Sequence, residues 1–372
     1  MTPRRLLFPL ALALLAVPLL AQFVAPATRG MSAEELRPLA APPGRDGWTH
    51  LLAQTDAWLR DHFGLRRALI GAHARLVHGL LGIGNADVLI GPTGRPFLRE
   101  NAMIEQSAGL RLDRAGVLAA ADMLAALRAA LAAQGATLLV APPPNASTID
   151  AADLPAWARN PGRPTEYDLL LAALAARGVP ALDLRPAMRA LQRVEDPYRR
   201  TDSHWTPRGA LAAFNAIAAA AGRPDWHLAP AVALTPPLPL APGDLVRLLD
   251  LAGVADERLL LPALEEGTAQ PLDRTPWGGV LLTLPDPRGP MIVLLGDSFT
   301  RAYFPPMVLA RTGRVAWVHH DDCGFDFALV ARLRPAQVWY LPTERRIACA
   351  AGRYPAGLAA AAARASTGAS AR

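Results

Sequence analysis

Met291-Ile292-Val293-Leu294-Leu295-Gly296-Asp297-Ser298-Phe299-Thr300 is the stretch on which the fold turns. It begins with an unbroken apolar run, which describes a strand buried on both faces, as in a parallel sheet covered by helices. Gly-Asp-Ser then turns the chain off that strand. A serine in this position presents its hydroxyl at the carboxyl edge of the sheet, and its own backbone N–H is placed to help hold an oxyanion. Taken alone the tripeptide is also common turn chemistry, so its meaning depends on the rest of the chain.

Outward from this strand, helical and extended patterns alternate. Arg114–Gln134, Tyr167–Arg177, Pro207–Ala221 and Phe327–Leu333 read as helices; Ala136–Ala141, Val179–Leu184, Arg314–Val318 and Val338–Leu341 read as strands. The expectation is an α/β fold, a mostly parallel sheet flanked by helices, with ligands bound at the carboxyl ends of the strands. Proline-rich Ala229–Arg288 interrupts the rhythm and reads as an insertion or flap. Towards the N-terminus, Trp48–Leu81 carries apolar residues at helical spacing, and Val88–Ile90 and Pro96–Leu98 flank the turn Gly91-Pro92-Thr93-Gly94 as a hairpin. The tail, residues 356–372, is Ala, Ser, Gly, Arg and one Thr with Leu358 as its one large apolar residue, and is expected to be disordered.

The 372 residues, 52% hydrophobic, suffice for one large domain and an appendage. A formal charge of +6 is carried entirely by 38 arginines without long basic runs, so no nucleic-acid partner is expected. Arg4 and Arg5 precede the uncharged apolar stretch Leu6–Ala21, the layout of an export signal, with cleavage and retention as an inner-membrane anchor both open. The expected organisation is a signal or anchor at 1–27, a linker at 28–47, a catalytic domain at 48–355 and the tail. Outside the cytoplasm the two cysteines, Cys323 and Cys349, can close a disulfide; free buried thiols are the alternative.

A second motif gives Gly-Asp-Ser its meaning. In Asp202-Ser203-His204-Trp205-Thr206-Pro207 a carboxylate stands two residues from an imidazole that it can orient, just before a helix. A serine hydroxyl needs such a base before it can attack. Singly, His204 reads as a histidine packed on Trp205 and Asp202 as a cap. Together with a serine at a strand end in an exported α/β chain, they describe a nucleophile, a base and an orienting acid.

The pair Asp-Ser-His-Trp-Thr-Pro with Gly209-Ala210, and Gly-Asp-Ser-Phe, resembles the SGNH-hydrolase-like acetyltransferases of alginate biosynthesis, the AlgJ/AlgX type. Asp61-His62-Phe63-Gly64-Leu65-Arg66, Val88–Leu98, Pro143–Trp157 and Glu344-Arg345 resemble further blocks of that family. The resemblance implies Ser298 as nucleophile, His204 as general base and Asp202 as orienting acid. It implies a polysaccharide O-acetyltransferase outside the cytoplasm, a polysaccharide acceptor, and an acetyl donor supplied by a membrane-bound O-acyltransferase. Neither cofactor nor metal is called for. Asn145 stands where the family has a lysine, and is a candidate substrate contact or second oxyanion donor. Arg301, one turn past the serine, is a candidate for a carboxylate or sugar oxygen, or an ordinary solvated arginine. An acetylesterase and a non-catalytic polysaccharide-binding or assembly protein remain the competing readings.

Overall fold

The computed structural model describes residues 40–44, 48–62, 65–251, 257–259, 264–265, 267–273 and 278–369. They divide into two compact units, the first ending at Ile90 and including Pro242–Ala255, the second made of Gly91–Ala241 and Asp256 onward. The export segment lies outside the described residues, as does most of the linker.

The first unit holds helix α1 (Trp48–His62), helix α2 (Arg66–Ala74), which runs on as a π-helical turn over Arg75–Leu80, and strand β1 (Val88–Ile90). Linker residues are tied to α1, with the Ala40 amide donating to Asp61 Oδ2 at 2.8 Å and the Gly44 amide to Gln54 Oε1 at 2.9 Å. Asn85 Nδ2 donates to the Leu248 carbonyl at 2.8 Å, which brings Pro242–Ala255 into this unit.

The second unit contains, in order, β2 (Pro96–Leu98), α3 (Arg114–Ala132), β3 (Thr137–Val140), α4 (Glu166–Ala176), α5 (Pro207–Ala220), β4 (Leu238–Leu240), β5 (Glu257–Leu259), β6 (Thr268–Pro271) and β7 (Val280–Thr283). It continues with β8 (Ile292–Gly296), α6 (Ser298–Arg301), α7 (Phe304–Thr312), β9 (Arg314–His319), β10 (Gln337–Leu341) and α8 (Leu358–Ala369). Its main sheet runs β3-β10-β8-β9-β7-β6, with the first four strands parallel, β7 antiparallel to β9 and β6 antiparallel to β7. This is an SGNH-hydrolase-like, flavodoxin-like layering.

The period of the central strand divides the core. Val293 and Leu295 of β8 face α3 and α4 through Val117, Leu124, Leu131 and Leu174, whereas Ile292 and Leu294 face α5 and α7 through Leu211, Phe214, Phe304 and Val308. Each such side chain contributes roughly 1.5–3 kcal/mol by leaving water. Caps set the helix starts: Asp113 accepts from the Gly116 amide, and Thr165 with Asp168 forms a capping box. The disulfide is present and joins Cys323 to Cys349.

Three sequence expectations are corrected. Val179–Leu184 is not a strand; it makes one bridge, Ala181 to Val140, because Pro180 has no N–H for a ladder. Ala229–Arg288 is not merely a flap, since β6 and β7 extend the main sheet. The tail expected to be disordered forms α8, its alanines favouring helix and its fully buried Leu358 joining the core beside α3.

Candidate active site

The carboxyl end of β8 positions the serine. Gly296 is required there, because a Cβ would stand 2.2 Å from Thr300 Oγ1. Asp297, in extended conformation, caps α6 by accepting the Phe299 amide at 3.0 Å. Its other oxygen takes the Thr343 amide at 2.8 Å and the Thr343 hydroxyl. Burial works to raise this carboxyl, but the charges of His320 and Arg345 and the Thr343 hydrogen bonds hold it below the usual range. Asp297 therefore stays an anion that shapes the turn. In the run Met291–Thr300, Ser298 alone is exposed. As the first residue of α6, its N–H has no intrahelical partner.

The Asp-Ser-His motif occupies a tight return of the chain. The Arg199 amide donates to the His204 carbonyl at 3.1 Å and the Thr206 amide to the Pro197 carbonyl at 2.8 Å. Gly209 allows this approach, because a Cβ there would lie 2.3 Å from the Pro197 oxygen. Thr206 caps α5 on the Gly209 amide, with Pro207 at the first helical position. Trp205 is fully buried, stacked on Phe304 at 5.4 Å, and its Nε1 donates to the Phe299 carbonyl at 2.8 Å. That bond fastens the histidine segment to the serine turn.

These supports bring together three side chains far apart in sequence. His204 Nε2 lies 2.9 Å from Ser298 Oγ across a separation of 94 residues, and His204 Nδ1 lies 2.6 Å from Asp202 Oδ1. The imidazole also rests against the Phe299 ring, 5.0 Å between centroids. Asp202 Oδ1 accepts the His204 amide at 3.0 Å, and Oδ2 accepts from Arg199 Nη1 at 3.0 Å. Burial pushes the Asp202 carboxyl up, but the His204 hydrogen bond and the charges of His204 and Arg199 outweigh it and leave it lowered. A hydroxyl, an imidazole and an ionised carboxylate in this order can activate the hydroxyl as a nucleophile.

Asn145 is fully buried, its amide donating to Glu344 Oε2 at 2.7 Å and its Nδ2 to Gln106 Oε1 at 3.3 Å. Both groups are engaged in an internal network of buried residues. Arg301 is exposed and stacks on the Trp317 ring at 5.3 Å. Two further residues bear on the site in roles that the sequence did not assign. Arg199 braces Asp202, with adjacency to the motif as its only signal. Arg345 lies 5.2 Å from the centroid of the Phe299 ring and pairs with Glu100 at 3.2 Å, a partner 245 residues away that no local pattern reveals.

The sheet and the site define the class as an SGNH-hydrolase-like domain. The family described as "SGNH hydrolase-like domain, acetyltransferase AlgX" matches residues 97–331, and the chain belongs to this family. Among solved structures it is similar to the O-acetyltransferase domain of Pseudomonas putida AlgJ, with 20% identity over 74% of this chain and 99% of that one at a TM-score of 0.48. It is also similar to Bacillus cereus PatB1 with a sulfonyl adduct (14% identity, 64% and 92% covered, TM-score 0.48). Pseudomonas aeruginosa AlgX is similar at 18% identity, with 69% and 61% covered and a TM-score of 0.42. No curated protein matches the chain.

Proposed function

We propose that this chain is an exported polysaccharide O-acetyltransferase working through an acetyl-serine at Ser298. The observation that carries the reading is the 2.9 Å contact between His204 Nε2 and an exposed Ser298 Oγ, beside an ionised Asp202. His204 Nε2 takes the Ser298 proton as Oγ attacks the acetyl carbonyl carbon. The bond from that carbon to the donor's leaving group breaks, and the leaving group departs with the proton from His204. A sugar hydroxyl then attacks the acetyl-serine, gives its proton to His204, and Ser298 Oγ recovers it as the ester forms on sugar. The Ser298 N–H supports the oxyanion in both steps.

Family membership supports acetyl transfer, and the Cys323–Cys349 disulfide supports an oxidising compartment such as the periplasm. The N-terminal segment is a signal or an inner-membrane anchor in this reading. A membrane-bound O-acyltransferase supplies the acetyl groups, and a polysaccharide such as alginate accepts them.

The test is partition of label from an activated acetyl ester with and without oligosaccharide. Transfer predicts acetylated sugar, with acetate release suppressed as sugar is added. Release of acetate at a rate the sugar does not change would make the chain an acetylesterase.

A further inference from the structure

Helix α2 and its π-helical continuation, Arg66–Leu80, carry an apolar stripe facing solvent, outside the part of the chain that matches the family. Leu69 and Leu76 are each 53% exposed and Leu80 is 76% exposed, at spacings of seven and four residues that place them on one side of the helix. Leu81 and Ile83 extend the stripe past its end, at 57% and 54% exposure. Ala74, by contrast, is buried and marks the inward side. A row of large exposed apolar side chains on one short helix marks a surface that meets something other than water.

The charge of the segment identifies what it meets. From Gly64 to Ala86 the sequence contains Arg66, Arg67, His73, Arg75 and His78 and no aspartate or glutamate. His73 and Arg75 are exposed beside the leucines. An apolar stripe in a segment whose titratable residues are all basic suits an interface whose interior is hydrocarbon and whose surface is anionic. The 15 residues from Arg66 to Leu80 are about 22 Å of helix, short of the roughly 20 residues that span a bilayer, so the helix lies along the surface.

We infer that the Leu69–Ile83 face docks on an anionic lipid bilayer, seating the first unit of this chain at the membrane surface. The inference goes beyond the chemistry proposed for Ser298 and does not depend on it.

The experiment uses the full chain with Leu76→Cys, or in a second variant Leu80→Cys, labelled with an environment-sensitive fluorophore. Labelling is selective because the two native cysteines are bonded to each other. The reference is Val194→Cys, 83% exposed on the second unit. On vesicles of mixed phosphatidylglycerol and phosphatidylcholine, labels at 76 and 80 are expected to shift to the blue and be quenched by spin-labelled acyl chains, with a smaller shift on pure phosphatidylcholine. The label at 194 should keep its emission in water. Because the readout is local, it distinguishes this face from retention by the N-terminal apolar segment. Labels at 76 and 80 that stay in water on anionic vesicles carrying the chain would overturn the inference. So would equal shifts on neutral lipid, or a shift produced only by solubilised membrane protein, which would make the face a protein-docking surface.

Discussion

His204 is held at both ring nitrogens, by Asp202 on Nδ1 and Ser298 on Nε2, so one orientation would serve both proton transfers of the proposed mechanism. Asp202→Asn is expected to keep the fold and slow formation of acetyl-Ser298 by on the order of 10⁴-fold, measured as single-turnover acetylation. His204→Ala should lose more, on the order of 10⁶-fold. A different residue governs stability. Glu344 is fully buried, and burial outweighs its hydrogen bonds from the Asn145 amide and Thr148 to push its carboxyl up to about 7 from 4.5. Its Oε1 has no hydrogen-bond partner among the described residues. The folded state binds this proton more tightly than the unfolded, so the stabilisation is present below pH 4.5 and is lost as pH rises towards 7. His320 acts oppositely, since burial lowers it to about 4 and its penalty grows as pH falls. Comparing Glu344→Gln with the wild type isolates the first effect. The variant should be of similar stability near pH 4 and more stable by up to about 3 kcal/mol at pH 8, read from urea unfolding across pH.

At the scale of elements, the site is a fastening of two segments, β8 with α6 and the return of chain before α5. Trp205 makes the fastening. Trp205→Phe keeps most of the ring packing but leaves the buried Phe299 carbonyl without the indole N–H, at a cost of about 1–3 kcal/mol. Denaturant unfolding should show that loss, together with a lowered rate of serine acetylation. Local pattern was enough to place β8, because five apolar residues before Gly-Asp-Ser allow little else. The lengths of α3, α4 and α5 were equally legible, their apolar spacing and caps agreeing with each other. Val179–Leu184 misled because one proline cancels a ladder that its apolar composition favours. The roles of Asn145 and Arg345 were hidden for another reason: their partners Gln106, Glu344 and Glu100 come from distant parts of the chain and meet only on folding.

Across the whole molecule, the closing features were least legible. The alanines of α8 carry too little apolar area to announce burial, yet Leu358 is fully enclosed, and β6 and β7 reach the sheet from a proline-rich stretch. The disulfide closes a loop of 26 residues between β9 and the end of the core. Loop entropy of that size is expected to contribute about 3 kcal/mol. Cys323→Ala/Cys349→Ala should therefore unfold at lower urea while its acetylation chemistry at saturating ester stays close to wild type. The central claim is that Ser298 carries the acetyl group, and peptide mass mapping after brief exposure to an activated acetyl ester tests it most directly. The account expects one added acetyl on the Ser298 peptide of the wild type, lost on adding oligosaccharide, and no adduct in Ser298→Ala. An unlabelled wild type, with Ser298→Ala still supporting polymer acetylation in cells, would contradict it.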